Sequence, residues 1–294
     1  MGQNPVLAPA QFRPKVSEMK LYPFLCFCFA FTLIKAAERE TLTKKEVFGN
    51  ITNRLMIKDI EREVLNIPEG YTYPDYVAKD CRAAYRHGKR QSGLYVIRPK
   101  NSPFLAVYCE MDDGGWTVLQ RHSAGENEHW SRPWDAYKYG FGHLRGDHWL
   151  GNEIMHLLTR QNVFIVRFVF VDSNGHTKHA DYHTFKVDSE KNGYALRLGD
   201  YSGDAGDALT TVGEAGIHDN MNFSTLDKDH DRRPDTNCAE YYHGGWWYDD
   251  CYSALLNSDK GIYWKGLCTA EKPCKSVKIM IRPNPINCKL GKKY

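Results

Sequence analysis

Asp227-Lys228-Asp229-His230-Asp231 sets three carboxylates at alternate positions in a polar run. Closely spaced carboxylates backed by loop carbonyls are the ligands that a hard, oxygen-preferring cation such as Ca2+ takes. The same alternation also describes a solvated acidic turn, so the motif by itself leaves both readings open. His176, His179 and His183, three and four residues apart, have the spacing of zinc ligands on one helix face. Asp172-Ser173-Asn174-Gly175 in front of them reads as a turn, however, which makes the segment a hairpin and its histidines exposed. No HExxH, GxSxG, P-loop or dinucleotide fingerprint occurs, and no cysteine sits in a protease signature, so catalysis has no support. The densest group suited to binding is aromatic: Tyr241, Tyr242, His243, Trp246, Trp247, Tyr248 and Tyr252. Tyr and Trp supply contact area at low entropic cost and dominate interface energetics, although a Trp pair fits a core equally well.

The elements that must position these groups follow from composition and punctuation. Lys+Arg 39 against Asp+Glu 36 gives a net charge of only +3, without the electrostatic footprint of a general nucleic-acid binder. Lys20, the apolar stretch Leu21 to Ile34 and Lys35-Ala36-Ala37-Glu38 have the order of a secretory signal that starts at Met19 and is cleaved near Ala36 or Ala37. The stretch is interrupted by Tyr22 and Pro23 and is shorter than the roughly 20 apolar residues that cross a bilayer, so no stable membrane span is expected. Residues 1–37 are therefore assigned to the signal region and residues 38–79 to a helical or disordered linker, with the sequon Asn50-Ile51-Thr52 marking Asn50 for glycosylation. Pro68, Gly70 and Pro74 close that segment. Beyond it the texture changes to short β-type runs between Gly, Asn and Asp, at Gly93–Ile97, Ala106–Cys109, Trp116–Leu119 and Val163–Val171, with a short helix at Gly151–Leu158. Residues 80–294 read as one α+β domain with a mixed, mostly antiparallel sheet, short helices and long loops.

Signal cleavage leaves Cys81, Cys109, Cys238, Cys251, Cys268, Cys274 and Cys288 in an oxidising compartment. The odd number requires a free thiol or an interchain bridge, and a disulfide-linked homo-oligomer is one outcome. Cys268 and Cys274 flank the turn-like insert Thr269-Ala270-Glu271-Lys272-Pro273 and are expected to bridge each other, leaving Cys288 for interchain pairing.

Taken in order, Asp80-Cys81, Gly93-Leu94-Tyr95, Tyr108-Cys109-Glu110-Met111, Gly114-Gly115-Trp116-Thr117-Val118-Leu119-Gln120-Arg121, Trp149-Leu150-Gly151-Asn152, Tyr201-Ser202-Gly203-Asp204-Ala205-Gly206-Asp207, Asn237-Cys238-Ala239-Glu240, Gly245-Trp246-Trp247-Tyr248 and Ile279-Met280-Ile281-Arg282-Pro283 resemble the fibrinogen C-terminal domain from Asp80 to Pro283. The resemblance extends to the short fibrinogen-like and angiopoietin-like secreted proteins, since no collagen stalk or long coiled coil precedes the domain. It implies a disulfide-stapled fold with the bridges Cys81 to Cys109 and Cys238 to Cys251. It also implies a calcium loop, in which Asp229 and Asp231 give side-chain oxygens and Arg233 and Asp235 backbone carbonyls. Two departures bear on that loop: Arg232-Arg233-Pro234-Asp235-Thr236 is one residue longer than the family's spacer, and its arginines add positive charge. A cis peptide bond is implied at Asn237-Cys238.

The family's ligand pocket maps to Tyr241, Tyr242, Tyr252 and Asp259. Roughly ten residues of its pocket loop are missing here, a loss that a surface loop tolerates. Tyr252 replaces the family's histidine, Tyr241-Tyr242 replace a Gln-Asp pair, and Asp259 alone keeps the acidic character of the grip. These departures argue against a fibrin-peptide grip and against acetyl-sugar binding in the manner of the ficolins. The implied function is non-enzymatic recognition: a secreted signalling or immune ligand of a cell-surface protein receptor. The alternatives are a calcium-assisted lectin for acetylated glycans and an extracellular-matrix component. Loop shortening also leaves open a closed, vestigial pocket.

Overall fold

The computed structural model describes residues 77–126, 128–211 and 216–285; the signal, linker, Asn50 and Cys288 expectations lie outside the described residues. Asp80 caps the first helix among the described residues, α1 (Cys81–Arg86), through an Oδ1 that accepts the Ala83 N–H at 2.7 Å. Burial pushes the Asp80 carboxyl above its ordinary value, against the lowering pull of that bond. The chain continues through β1 (Gly93–Ile97), β2 (Leu105–Glu110) and β3 (Trp116–Ser123) to α2 (Trp134–Tyr139), β4 (Phe141–Gly142), β5 (His148–Trp149) and α3 (Asn152–Thr159). The long hairpin β6 (Phe164–Val171) and β7 (Thr177–Val187) follows, then β8 (Leu196–Leu198) and β9 (Tyr201–Gly203). The remainder of the described residues holds α4 (Cys238–Tyr241), β10 (Ala254–Leu255), β11 (Tyr263–Trp264) and a final strand, β12 (Ser276–Pro283).

Strand order in the main sheet is β1-β2-β3-β12-β6-β7-β8, with every neighbour antiparallel. Strand β12 returns to the centre, where Ile279 lies opposite both Gln120 of β3 and Phe168 of β6. Phe164, Ile165 and Val166 of β6 are buried in succession, as a strand covered on both faces requires; beyond them burial alternates. The inner face carries the main core, in which Trp149 packs against Tyr137, Phe223, Trp246 and Trp247. The outer face buries the smaller cluster of Trp116, Val118, Ile165 and Met280. Arg167 and Arg282 lie over the Trp116 ring at 5.0 and 4.3 Å.

Cys81 is bonded to Cys109, Cys238 to Cys251 and Cys268 to Cys274, with Cα separations of 5.5, 5.8 and 5.2 Å. The hairpin reading of the histidine segment matches the structure. Asp172 Oδ1 accepts the Asn174 and His176 N–H groups to form the turn, and His176 is exposed. Among the described residues no group of three or more His, Cys, Asp or Glu side chains is placed to share a metal ion.

Candidate functional site

Between β9 and β12 the chain has few ladders and is ordered largely by side chains reaching the backbone. Asn237 begins the key segment: its Oδ1 accepts the Ala239 and Glu240 N–H groups at 2.9 and 3.2 Å as the cap of α4, while its Nδ2 donates to Thr225 O at 3.0 Å. The bond expected to be cis, Asn237-Cys238, is trans, and Cys238 opens α4 with its N–H held by Asp231 Oδ2 at 2.8 Å. The cis bond lies before the other member of the bridge, at Asp250-Cys251. After α4 the chain passes His243 and Gly244 so close to the bend at Asn257 that a Cβ on Gly244 would stand 1.5 Å from Asn257 O. Only glycine fits there.

His218 fixes the floor of this region. Fully buried, it bonds Trp247 O through Nδ1 at 2.7 Å and accepts the Ser253 and Ala254 N–H groups at Nε2, at 3.0 and 2.9 Å. These contacts require a neutral ring with the proton on Nδ1, and burial lowers its pKa to about 4. No sequence signal singled out His218.

Four tyrosines form a ladder on the surface this frame supports. Tyr241 meets Tyr242, Tyr242 meets Tyr252 and Tyr252 meets Tyr263, each edge to face, at centroid distances of 4.8, 4.7 and 5.1 Å. Tyr241 is 59% exposed. Tyr242, Tyr252 and Tyr263 are half-buried. Arg233, Thr236, Tyr241, Tyr242 and Cys251 line a cleft of about 170 Å3 beside the ladder, with the bridge cysteine in its wall. The structure thus brings together Tyr241, Tyr242 and Tyr252 and adds Tyr263, whose signal was its place in Gly261-Ile262-Tyr263-Trp264. Trp246, Trp247 and Tyr248, grouped with them by sequence proximity, belong to the core.

Asp259 is exposed, but its Oδ1 accepts the Trp130 N–H at 2.6 Å and it is not among the cleft's lining groups. The charge over the ladder is instead Lys260, whose Nζ lies 5.0 and 5.6 Å from the Tyr241 and Tyr242 ring centres and donates to Tyr241 O at 2.9 Å. Chain adjacency to Asp259 concealed it.

The acidic loop divides. Asp227 is exposed but already engaged: its Oδ1 accepts from Trp134 N and the Thr225 hydroxyl at 2.8 and 2.7 Å. Asp229 Oδ1 accepts the Asp231 N–H at 3.0 Å, and Asp231 Oδ1 accepts the Arg233 N–H at 2.9 Å. Burial, with the nearby Asp229 charge, raises the Asp231 carboxyl above its usual range. Two neighbouring carboxylates with loop carbonyls close by are the right chemistry for a hard cation, and a cation would relieve that mutual repulsion. The extra arginines do not compete for this pair: Arg232 bonds Asp249, and Arg233 bonds Asp250 at 3.2 Å. Burial opposes the Asp249 charge, yet the Arg232 hydrogen bond and the Ile217 N–H hold its carboxyl below the ordinary range.

Fold and site together define a disulfide-framed recognition domain of fibrinogen type. Residues 77–284 match the C-terminal globular domain of the fibrinogen beta and gamma chains, and the chain belongs to this family. It is 46% identical to the fibrinogen-like protein 1-like protein of Gallus gallus over 204 residues, covering 68% of this chain and 72% of the relative. It is 39% identical to techylectin-5A of Tachypleus tridentatus over 225 residues, covering 71% and 75%. Among solved structures, the fibrinogen-like globe domain of human ANGPTL2 superposes with a TM-score of 0.65 at 37% identity, over 71% of this chain and 100% of that one. The family is one of recognition domains, not enzymes. No helix of the described residues is long and apolar enough to cross a membrane.

Proposed function

We propose that this chain is secreted and acts as a ligand of a cell-surface protein receptor through the Tyr241, Tyr242 and Tyr252 surface. The observation that carries the reading is the tyrosine ladder itself: aromatic rings left at the surface beside a cleft, on a frame fixed by the Cys238 to Cys251 bridge and by His218. Pre-ordered aromatic anchors lose little entropy on binding and make natural hot spots. The cleft, about 170 Å3, is smaller than the roughly 300 Å3 at which small-molecule pockets begin, so it suits one side chain of a protein partner. Ca2+ held by Asp229 and Asp231, with the Arg233 and Asp235 backbone, would add no chemistry of its own and would stiffen the loop that supplies Arg233 and Thr236 to the cleft. Glycosylation at Asn50 and an interchain bridge through Cys288 complete the proposed secreted form.

A second reading, a calcium-assisted lectin, is favoured by the likeness to a protein named techylectin-5A. A glycan array probed with and without chelator, run beside capture from a cell-surface receptor display library, separates the two. Receptor capture with a silent array supports the ligand reading; chelator-sensitive glycan binding without capture replaces it with the lectin.

A further inference from the structure

The chain's small net charge conceals a local excess at the start of the domain. Between residues 77 and 100, Asp80 is the only acid, against Lys79, Arg82, Arg86, Lys89 and Arg90 around α1, and Arg98 and Lys100 after β1. Asp80 is buried as the helix cap, so the exposed charges of this stretch are basic; the nearest carboxylates from other elements are Glu110, beside Ser92, and the Asp112-Asp113 turn, where Arg82 donates to Gly114 O.

The fold gathers these residues. Arg98 N–H donates to Ala78 O at 2.8 Å, which sets the end of β1 beside Lys79. After α1 the chain doubles back, with the Gly88 and Lys89 N–H groups bonded to Tyr85 O and Ala84 O. That reversal brings Arg90 over the Tyr85 ring at 4.0 Å, with Arg82 at 5.5 Å from the same ring. Arg160, at the end of α3, extends the patch by donating to Asn101 O at 2.7 Å. None of these side chains makes an ion pair within the described residues, whereas Lys138, Arg167 and Lys278 elsewhere do. Like charges so grouped repel one another and destabilise the fold unless an anion covers them.

We infer that this patch is a docking surface for a sulfated polysaccharide. Guanidinium groups match the planar, multi-oxygen face of a sulfate, and a flexible polyanion can follow charges spread over a helix, a turn and a strand end. Two other polyanions fit less well. Single-stranded nucleic acid needs open aromatic faces for stacking, and the Tyr85 ring is already engaged by two guanidinium groups. Membrane surfaces need an apolar group to insert, and none of the exposed large hydrophobic residues, Tyr139, Leu226 and Tyr241, belongs to this patch. The surface is independent of the tyrosine ladder and does not rest on the receptor reading.

The test uses the full secreted chain, a heparin dodecasaccharide and its desulfated form, with binding measured at near-physiological salt. Arg86→Ser/Lys89→Ser/Arg90→Ser should lose roughly tenfold or more in affinity, steeply salt-dependent in the parent protein. A control that removes as much charge elsewhere, Lys191→Ser/Lys265→Ser/Lys272→Ser, should change it less than about twofold. Circular dichroism melting verifies that both remain folded, and an Arg86→Lys/Arg90→Lys variant, which retains the charge without the planar fork, should lose affinity but less than the triple serine variant. Absence of parent binding, equal loss in the two triple variants, or binding of the desulfated chain, single-stranded DNA or phosphatidylserine vesicles as tight as that of heparin would overturn the inference.

Discussion

His218 provides a pH test of the frame under the tyrosine ladder. Its folded pKa, about 4, lies below the ordinary imidazole value of about 6.5 because the ring is buried. Between those values the unfolded chain takes up a proton that the fold refuses. The contribution is therefore fully present above about pH 6.5 and is lost as pH falls towards 4. From pH 7.5 to pH 5 the linkage amounts to about 2 kcal/mol for His218. His148, also fully buried and lowered to about 4 by burial, adds a similar amount. A loss of about 4 kcal/mol is a large part of a typical domain's 5–15 kcal/mol. His218→Gln removes the titration while keeping an acceptor for the Ser253 and Ala254 N–H groups. It should cost about 1–3 kcal/mol at pH 7.5, through the lost bond to Trp247 O, yet lose about 2 kcal/mol less than the parent on acidification. Urea unfolding followed by tryptophan fluorescence at a series of pH values measures both. An unchanged pH slope in His218→Gln would refute the neutral, doubly bonded ring.

Three further outcomes are expected. Ca2+ should raise Tm and chelator lower it, and Asp229→Ala should abolish the difference, as read by calorimetry; no Ca2+ effect on the parent protein would remove the ion from the account. Replacing Cys238 and Cys251 together by serine should cost about 3 kcal/mol in denaturant unfolding, whereas a loss below about 1 kcal/mol would show that His218 and the α4 cap hold the loops unaided. Asp259→Ala should lower stability by about 1–3 kcal/mol by stranding the Trp130 N–H, with Asp259→Asn largely restoring it; equal loss in both would mean that the carboxylate acts by charge.

The fold was legible because its signals are local and ordered: Gly-Gly before Trp116, cysteines at fixed places among alternating strands, and a short apolar run for β12. The turn at Asp172–Gly175 also declared itself, since aspartate and glycine bring the chemistry a turn needs. The site was legible in part. Tyr241, Tyr242 and Tyr252 converge as their positions implied, but nothing in a linear run of aromatics says that Trp246 and Trp247 point inward while Tyr242 points out. Side-chain partners from distant segments were the least visible. The Trp130 N–H that occupies Asp259 lies 129 residues away, and the Trp247 carbonyl that occupies His218 lies 29 away. The arginines at 232 and 233 looked like competitors for the acidic loop until Asp249 and Asp250 were found to take them.

The account's central claim is that partner binding runs through the tyrosine ladder. Its most direct test is a cell-binding titration of the purified parent chain against Tyr241→Ser/Tyr242→Ala, with circular dichroism to verify the fold and Asp229→Ala as a loop control. The account predicts a loss of at least tenfold in apparent affinity for the tyrosine variant, in keeping with about 1.4 kcal/mol or more carried by aromatic hot-spot residues. Asp229→Ala should weaken binding less at saturating stability. Full retained binding by a folded Tyr241→Ser/Tyr242→Ala protein would contradict the claim and place the partner surface elsewhere on the domain.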